Sequence, residues 1–242
     1  MKKNIVTQSI IIFTSLLLLS CNNSKHASAE DLKDSLKTKI KKELSTFFID
    51  FENVKNTSKV YPNGFLYAFS DQSATPKGTS TINELKKNSF NYDNSLVLIP
   101  MHEKGKGVFN SDGFLRISGK ITTVFPYGFA GCGISFTPDR QGLDISKFKG
   151  LKFWARGNGV NFVVRLESPL ITDYAFHGCE FFADNDWEEF VIPFEDFRQP
   201  FWKTKQVNIK DILKSVSSIQ WQSYNRPMDK YFLCLDNIEL FK

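Results

Sequence analysis

From Phe48 to Lys242 the sequence consists of short runs in which apolar and polar residues alternate, interrupted by Gly, Asn, Asp or Pro, and no stretch sustains a helical period. In one-letter code the runs include GFLRIS (113–118), GISF (133–136), LKFWAR (151–156), FVVRLE (162–167), FVI (190–192) and YFLCL (231–235). Period-two alternation in β-branched and aromatic residues buries one side of each run and leaves the other free, which is the pattern of half-buried strands. Turn chemistry lies between the runs at Asn63-Gly64, Asp112-Gly113, Gly157-Asn158-Gly159 and Asp184-Asn185-Asp186, where left-handed or tight backbone is easily formed. Helix is expected only in connectors such as residues 209–214. The pattern predicts an all-β fold, an antiparallel β-sandwich, as one domain over residues 47–242. The 24 Phe, against 7 Tyr and 4 Trp, read mainly as filling for its core.

The amino terminus follows another logic. Residues 1–20 carry Lys2 and Lys3, an apolar core through Ile10, Ile11, Ile12, Phe13 and Leu16 to Leu19, then Ser20, the three-part form of an export signal. The apolar run is too short to span a bilayer. Cys21 follows, and Leu18-Leu19-Ser20-Cys21 resembles the lipobox at which bacterial lipoproteins are cleaved and lipidated on the cysteine. Leu19 is less usual there than a small residue, and an ordinary secreted protein is the alternative. Residues 21–46 read as a tether: a small polar stretch to Ala29, then Leu32, Leu36, Ile40 and Leu44 at four-residue intervals, the narrow stripe of a short surface helix. The expected location is the bacterial cell envelope, with the chain held to the membrane by its lipid; Asn22 lacks the aspartate type of inner-membrane retention signal and leans toward an outer membrane.

The formal charge of +5 is a property of this leader. Eight of the 31 Lys and Arg and four of the 26 Asp and Glu precede Phe47, so the remainder is close to neutral. Nucleic acid is therefore not an expected partner.

Within the domain, IDFE (49–52), YAFSD (67–71), GTST (78–81), ISGK (117–120), YGFAG (127–131), LDISKFKGLKFWARG (143–157), WEEFVIPFEDF (187–197) and LDNI (235–238) occur in that order. The succession resembles the galactose-binding-like jelly rolls that include family 11 carbohydrate-binding modules and the complex I intermediate-associated protein 30 family, and it covers nearly the whole domain. Independently of the family, Leu151, Phe153 and Ala155 share one side of their run and Lys152, Trp154 and Arg156 the other. The resemblance implies a structural Ca²⁺ between the first and last strands, with Glu52, Asp236 and Asp50 at the matching positions and Asp71 a weaker further ligand. Oxygen donors suit that ion. The alternative is that these acids cap strands and turns.

Catalytic signatures are few. There is no Gly-x-Ser-x-Gly elbow, and His26, His102 and His177 are the only imidazoles. No His or Cys pair has zinc spacing, and no phosphate loop is present. Glu188-Glu189 and Glu195-Asp196 read as structural, and no alternating acids line one strand, so the expectation is a protein that is not an enzyme; a glycosidase or lyase would need two carboxylates across a cleft. Sugar binding needs aromatic faces and planar polar side chains. On the run from Phe162 to Glu167, Arg165 and Glu167 oppose the apolar set, an arrangement that is costly unless that side opens to a cleft. They lead the candidates, joined by Gln220 and Gln222 around Trp221, by Tyr174, His177 and Phe181 on the next segment, by Gln199 with Trp202 in a loop, and by the polar-tipped Tyr67 and Tyr127. The expected function is non-catalytic binding of a polysaccharide or oligosaccharide on the concave face, with a protein-binding or assembly role as the alternative that the intermediate-associated family implies. With Cys21 lipidated, Cys132, Cys179 and Cys234 remain, so at most one intramolecular disulfide can form.

Overall fold

The computed structural model describes residues 47–55, 57–60, 63–85, 96–201, 206–223 and 226–242. The export signal, Cys21, the tether and Trp202 lie outside the described residues. Strands β1 (Phe47–Ile49), β2 (Lys59–Val60), β3 (Gly64–Ser70), β4 (Thr81–Ile82), β5 (Leu96–Val97), β6 (Met101–His102) and β7 (Gly113–Ile121) make up the first half. Strands β8 (Ala130–Ser135), β9 (Gly150–Gly157), β10 (Val160–Glu167), β11 (His177–Ala183), β12 (Glu188–Pro193), β13 (Ser218–Ser223) and β14 (Met228–Phe241) follow, and among the described residues a short α-helix, α1 (Ile209–Ile212), lies in a connector.

All pairings are antiparallel, and they form two sheets. One runs β12-β9-β14-β7-β4, with β1 added to β14 and β6 to β7; the other runs β11-β10-β13-β8-β3-β2, with β5 added to β3. The expected antiparallel β-sandwich is the observed fold. The β9–β10 connection, which passes from the first sheet to the second, turns at the predicted Gly157-Asn158-Gly159, where Gly159 has a φ of 71° that a side chain would strain.

Alternation settles which side of each strand is buried. Leu151, Phe153 and Ala155 of β9, Leu233 and Leu235 of β14, and Leu115 and Ile117 of β7 face inward from the first sheet. Phe162, Val164 and Leu166 of β10, Ile219 and Trp221 of β13, and Cys132 and Ile134 of β8 meet them from the second. Edge-to-face contacts cross the interface: Phe153 lies 5.6 Å from Trp221 and 5.1 Å from Phe181 between ring centroids. Such contacts favour one inter-sheet packing over others. The consequence for function is that the opposite parity of β10 and β13, which carries Arg165, Glu167, Gln220 and Gln222, is directed to the outer face of the second sheet.

Candidate functional site: a polar row across the second sheet

Register assembles the site. Arg165 of β10 is opposite Gln220 of β13, Gln220 is opposite Gly133 of β8, and Gly133 is opposite Tyr67 of β3. One row therefore crosses four strands, and Gly178 of β11 extends it beyond Arg165. The next row is Phe69, Gly131, Gln222 and Val163, and the row on the other side is Phe65, Ser135, Ser218 and Glu167. Glycine in β8 makes this possible: a Cβ on Gly133 would lie 2.4 Å from the Tyr67 ring, and one on Gly131 would lie 2.7 Å from the Phe69 ring. The two rings lie across bare backbone.

Tyr67, Glu167, Ser218 and Gln220 form one hydrogen-bonded cluster. Gln220 Nε2 donates to the Tyr67 hydroxyl at 2.9 Å and to Glu167 Oε2 at 3.0 Å, and the Tyr67 and Ser218 hydroxyls are 2.7 Å apart. Arg140, from the β8–β9 connection, closes the cluster. Its guanidinium stands 4.4 Å above the Tyr67 ring, donates to the Tyr67 hydroxyl at 3.0 Å, and is ion-paired with Glu167. Arg165 Nη1 donates to Gln222 Oε1 at 3.3 Å. Tyr67 is 1% exposed, and burial raises its phenol pKa well above the usual range, with the Glu167 charge acting in the same direction and Arg140 against it. The hydroxyl stays protonated, a hydrogen-bonding group and not a base.

The structure thus brings together Tyr67, Arg165, Glu167, Gln220 and Gln222, all five named from sequence. Others lie elsewhere. His177 pairs with Leu166, faces inward and is 4% exposed; it is not on the outer face, because its parity on β11 is that of Phe181. Tyr174 is 79% exposed in the β10–β11 loop, with a left-handed φ of 61°. Tyr127 is 67% exposed in the β7–β8 loop. Arg140 and Ser218 were not singled out by sequence reasoning: Ser218 has the same parity as Gln220 and was legible, whereas Arg140 lies in a loop and only the fold carries it to Tyr67.

The acids proposed for Ca²⁺ fall into separate groups. Asp71 is buried, and the Ser80 N–H and hydroxyl donate to its two oxygens at 2.9 and 2.6 Å. Asp50 accepts from the Glu52 N–H at 3.2 Å, the turn-capping role. Glu52 and Asp236 do converge on one segment: Glu52 Oε1 accepts from the Asp112 and Gly113 N–H groups, and Asp236 Oδ2 accepts from Val108 N–H at 3.0 Å and the Ser111 hydroxyl at 3.2 Å. Burial pushes the Asp236 carboxyl up to about 6, the Glu52 charge acts in the same direction, and the hydrogen bonds from Val108, Asn237 and Ser111 oppose it. Phe51, Phe109, Asn110 and Asn237, beside these contacts, all have positive φ, a concentration of strained backbone. Among the described residues no group of three or more His, Cys, Asp or Glu side chains is placed to hold a metal. Two carboxylates and neighbouring backbone carbonyls are hard oxygen donors, so these residues fit Ca²⁺ only with carbonyls or water completing the shell.

Two antiparallel sheets with a glycine-floored polar row on one outer face define the chain as a jelly-roll sandwich protein. It belongs to the complex I intermediate-associated protein 30 family, which it matches over residues 101–234. Endoglucanase 3 of Fibrobacter succinogenes is 25% identical over 162 residues, 66% of this chain and 22% of that protein; the chain spans less than a quarter of that relative. Among solved structures, a family 11 carbohydrate-binding module from a cellulosomal cellulase of Clostridium thermocellum is 17% identical with a TM-score of 0.46, covering 81% of this chain and 94% of the module. A family 30 carbohydrate-binding module is 13% identical with a TM-score of 0.48, covering 81% and 89%.

Proposed function

We propose that this protein binds a glycan, without cleaving it, on the outer face of the β11–β2 sheet, and that lipidated Cys21 anchors it in the bacterial cell envelope. The observation that carries the reading is the row Arg165, Gln220 and Tyr67. Planar polar groups that exchange hydrogen bonds in a fixed register, over a floor without side chains, suit the hydroxyls of a sugar. Glu167 is taken up as acceptor by Arg140, Ser218 and Gln220, which supports binding over acid–base chemistry at that carboxylate. The deciding experiment is affinity electrophoresis of the full chain through soluble polysaccharides, with product analysis alongside. Retardation without products, lost in Arg165→Ala at an unchanged melting temperature, supports the proposal. Released products would replace it with a hydrolase or lyase, and absence of both would move the function to a protein partner. Palmitate labelling that survives Cys21→Ser would overturn the anchor.

Ca²⁺ held by Glu52 and Asp236 belongs to the same proposal as a structural cofactor. An ion that binds only the native state raises its melting temperature by mass action, so a chelator should lower it. No shift on chelation would remove the ion from the account.

A further inference from the structure

We infer that the β7–β8 loop, residues 122–129, is an aromatic platform that receives a neutral glycan where it leaves the sheet; this rests on the glycan-binding reading above. The Tyr67 ring is not free to stack on a sugar, because Arg140 covers it. The aromatic surface continues away from it instead. Ring centroids step from Tyr67 to Phe69 at 6.0 Å, to Phe129 at 6.1 Å, to Phe125 at 6.0 Å and to Tyr127 at 6.0 Å. The chain of rings runs from a buried residue to an exposed one, and Phe69 shares its row with Gln222, which holds Arg165. The platform is therefore continuous with the polar row.

The loop is held in one shape. Asp71, fully buried, accepts from Ser80 through both carboxylate oxygens, and the Ser80 hydroxyl in turn accepts from Thr122 N–H at 3.0 Å. The Thr79 and Thr122 hydroxyls are 2.8 Å apart, and Asp71 N–H donates to the Phe129 carbonyl at 3.0 Å. Gly128 N–H closes a turn onto the Phe125 carbonyl at 3.0 Å, and a Cβ on Gly128 would lie 1.8 Å from the Thr122 carbonyl oxygen. Rings displayed at fixed positions lose little conformational entropy on binding. Residues 122–129 carry no charged side chain, and the adjacent Lys120 is paired with Asp229 at 3.0 Å. An uncharged pyranose, offering C–H faces to rings and hydroxyls to the Tyr127 tip, matches this chemistry.

The test uses the full chain, titrated with cello-oligosaccharides and mixed-linkage β-glucan fragments from trisaccharide to octasaccharide. Affinity should rise with length in the wild type. Tyr127→Ala should weaken the octasaccharide about five- to tenfold, the range of one aromatic contact, while leaving the trisaccharide and the melting temperature unchanged; Phe125→Ala should do the same to the octasaccharide. Arg165→Ala should weaken both lengths. Octasaccharide binding at wild-type strength in both aromatic variants overturns the platform while leaving the sheet site intact. Failure of the wild type to bind any of these sugars overturns the glycan reading itself. Tyr127-dependent binding to phosphatidylcholine vesicles, with sugar affinity unaffected, assigns the loop to lipid and overturns the proposal.

Discussion

Arg140 has a left-handed backbone, φ 53°, at the point where its guanidinium covers Tyr67 and meets Glu167. Removing the cation leaves a half-buried carboxylate with neutral donors, Tyr67, Ser218 and Gln220, and exposes the face of an aromatic ring. Arg140→Met should therefore cost about 1–3 kcal/mol, the usual range for losing one partner of a desolvated hydrogen bond, measured as a lower denaturant midpoint at unchanged slope; an unchanged midpoint would show the pair to be energetically idle. His177 makes a different prediction. Its Nδ1 is buried without a hydrogen-bond partner, and burial lowers its pKa below the ordinary value, against the opposing pull of a hydrogen bond to the Val207 backbone and with help from the Arg198 charge. Since the unfolded chain then takes up the proton more readily, this residue leaves stability unaffected above its unfolded pKa of about 6.5 and lowers it as the pH falls through that value to the folded one. The stability difference between wild type and His177→Gln, followed from pH 8 to pH 5, should change in that window; a difference that is flat across it would acquit the residue.

At the scale of elements, β8 matters through what it lacks. Gly133→Ala would drive a methyl group into the Tyr67 ring, and that ring is enclosed by Arg140, Ser218 and Gln220, so it cannot swing aside. A loss of about 1–3 kcal/mol is expected from overpacking, seen as a lower melting temperature together with weaker retardation by polysaccharide. Stability equal to wild type would mean that Tyr67 can yield. The turn at Gly157-Asn158-Gly159 was legible from its residue types, and the inward set on β9 and the shared side of Gln220 and Gln222 were legible because alternation reports which residues lie together. It does not report which strand lies alongside, so Arg140 above Tyr67 was out of reach. It also leaves open which of two sides faces in. For His177 the clue was the common parity with Phe181, whose ring is buried in the core. Phe69, Phe125 and Phe129 were hidden by their own abundance, since among 24 Phe the few that reach the surface carry no distinguishing local pattern.

For the molecule as a whole, cohesion between the sheets is noncovalent among the described residues. Cys132, Cys179 and Cys234 are free; burial pushes the Cys234 thiol up to about 11 and raises those of Cys132 and Cys179 as well, so none is a ready thiolate. The melting temperature should be the same with and without a reductant, and a drop on reduction would reveal a bridge. Two sheets, their order and the position of the polar row depend on pairings between distant segments, the class of contact that forms slowly. The most demanding of these belongs to β14. It lies between β9 and β7 and carries β1 along its remaining edge, yet it follows every other strand in the chain. During synthesis, then, β9 and β7 wait without the partner that joins them, and the first sheet stays unfinished until residue 241 has been made. With export as we propose, the order of its own strands would keep the chain open for transport.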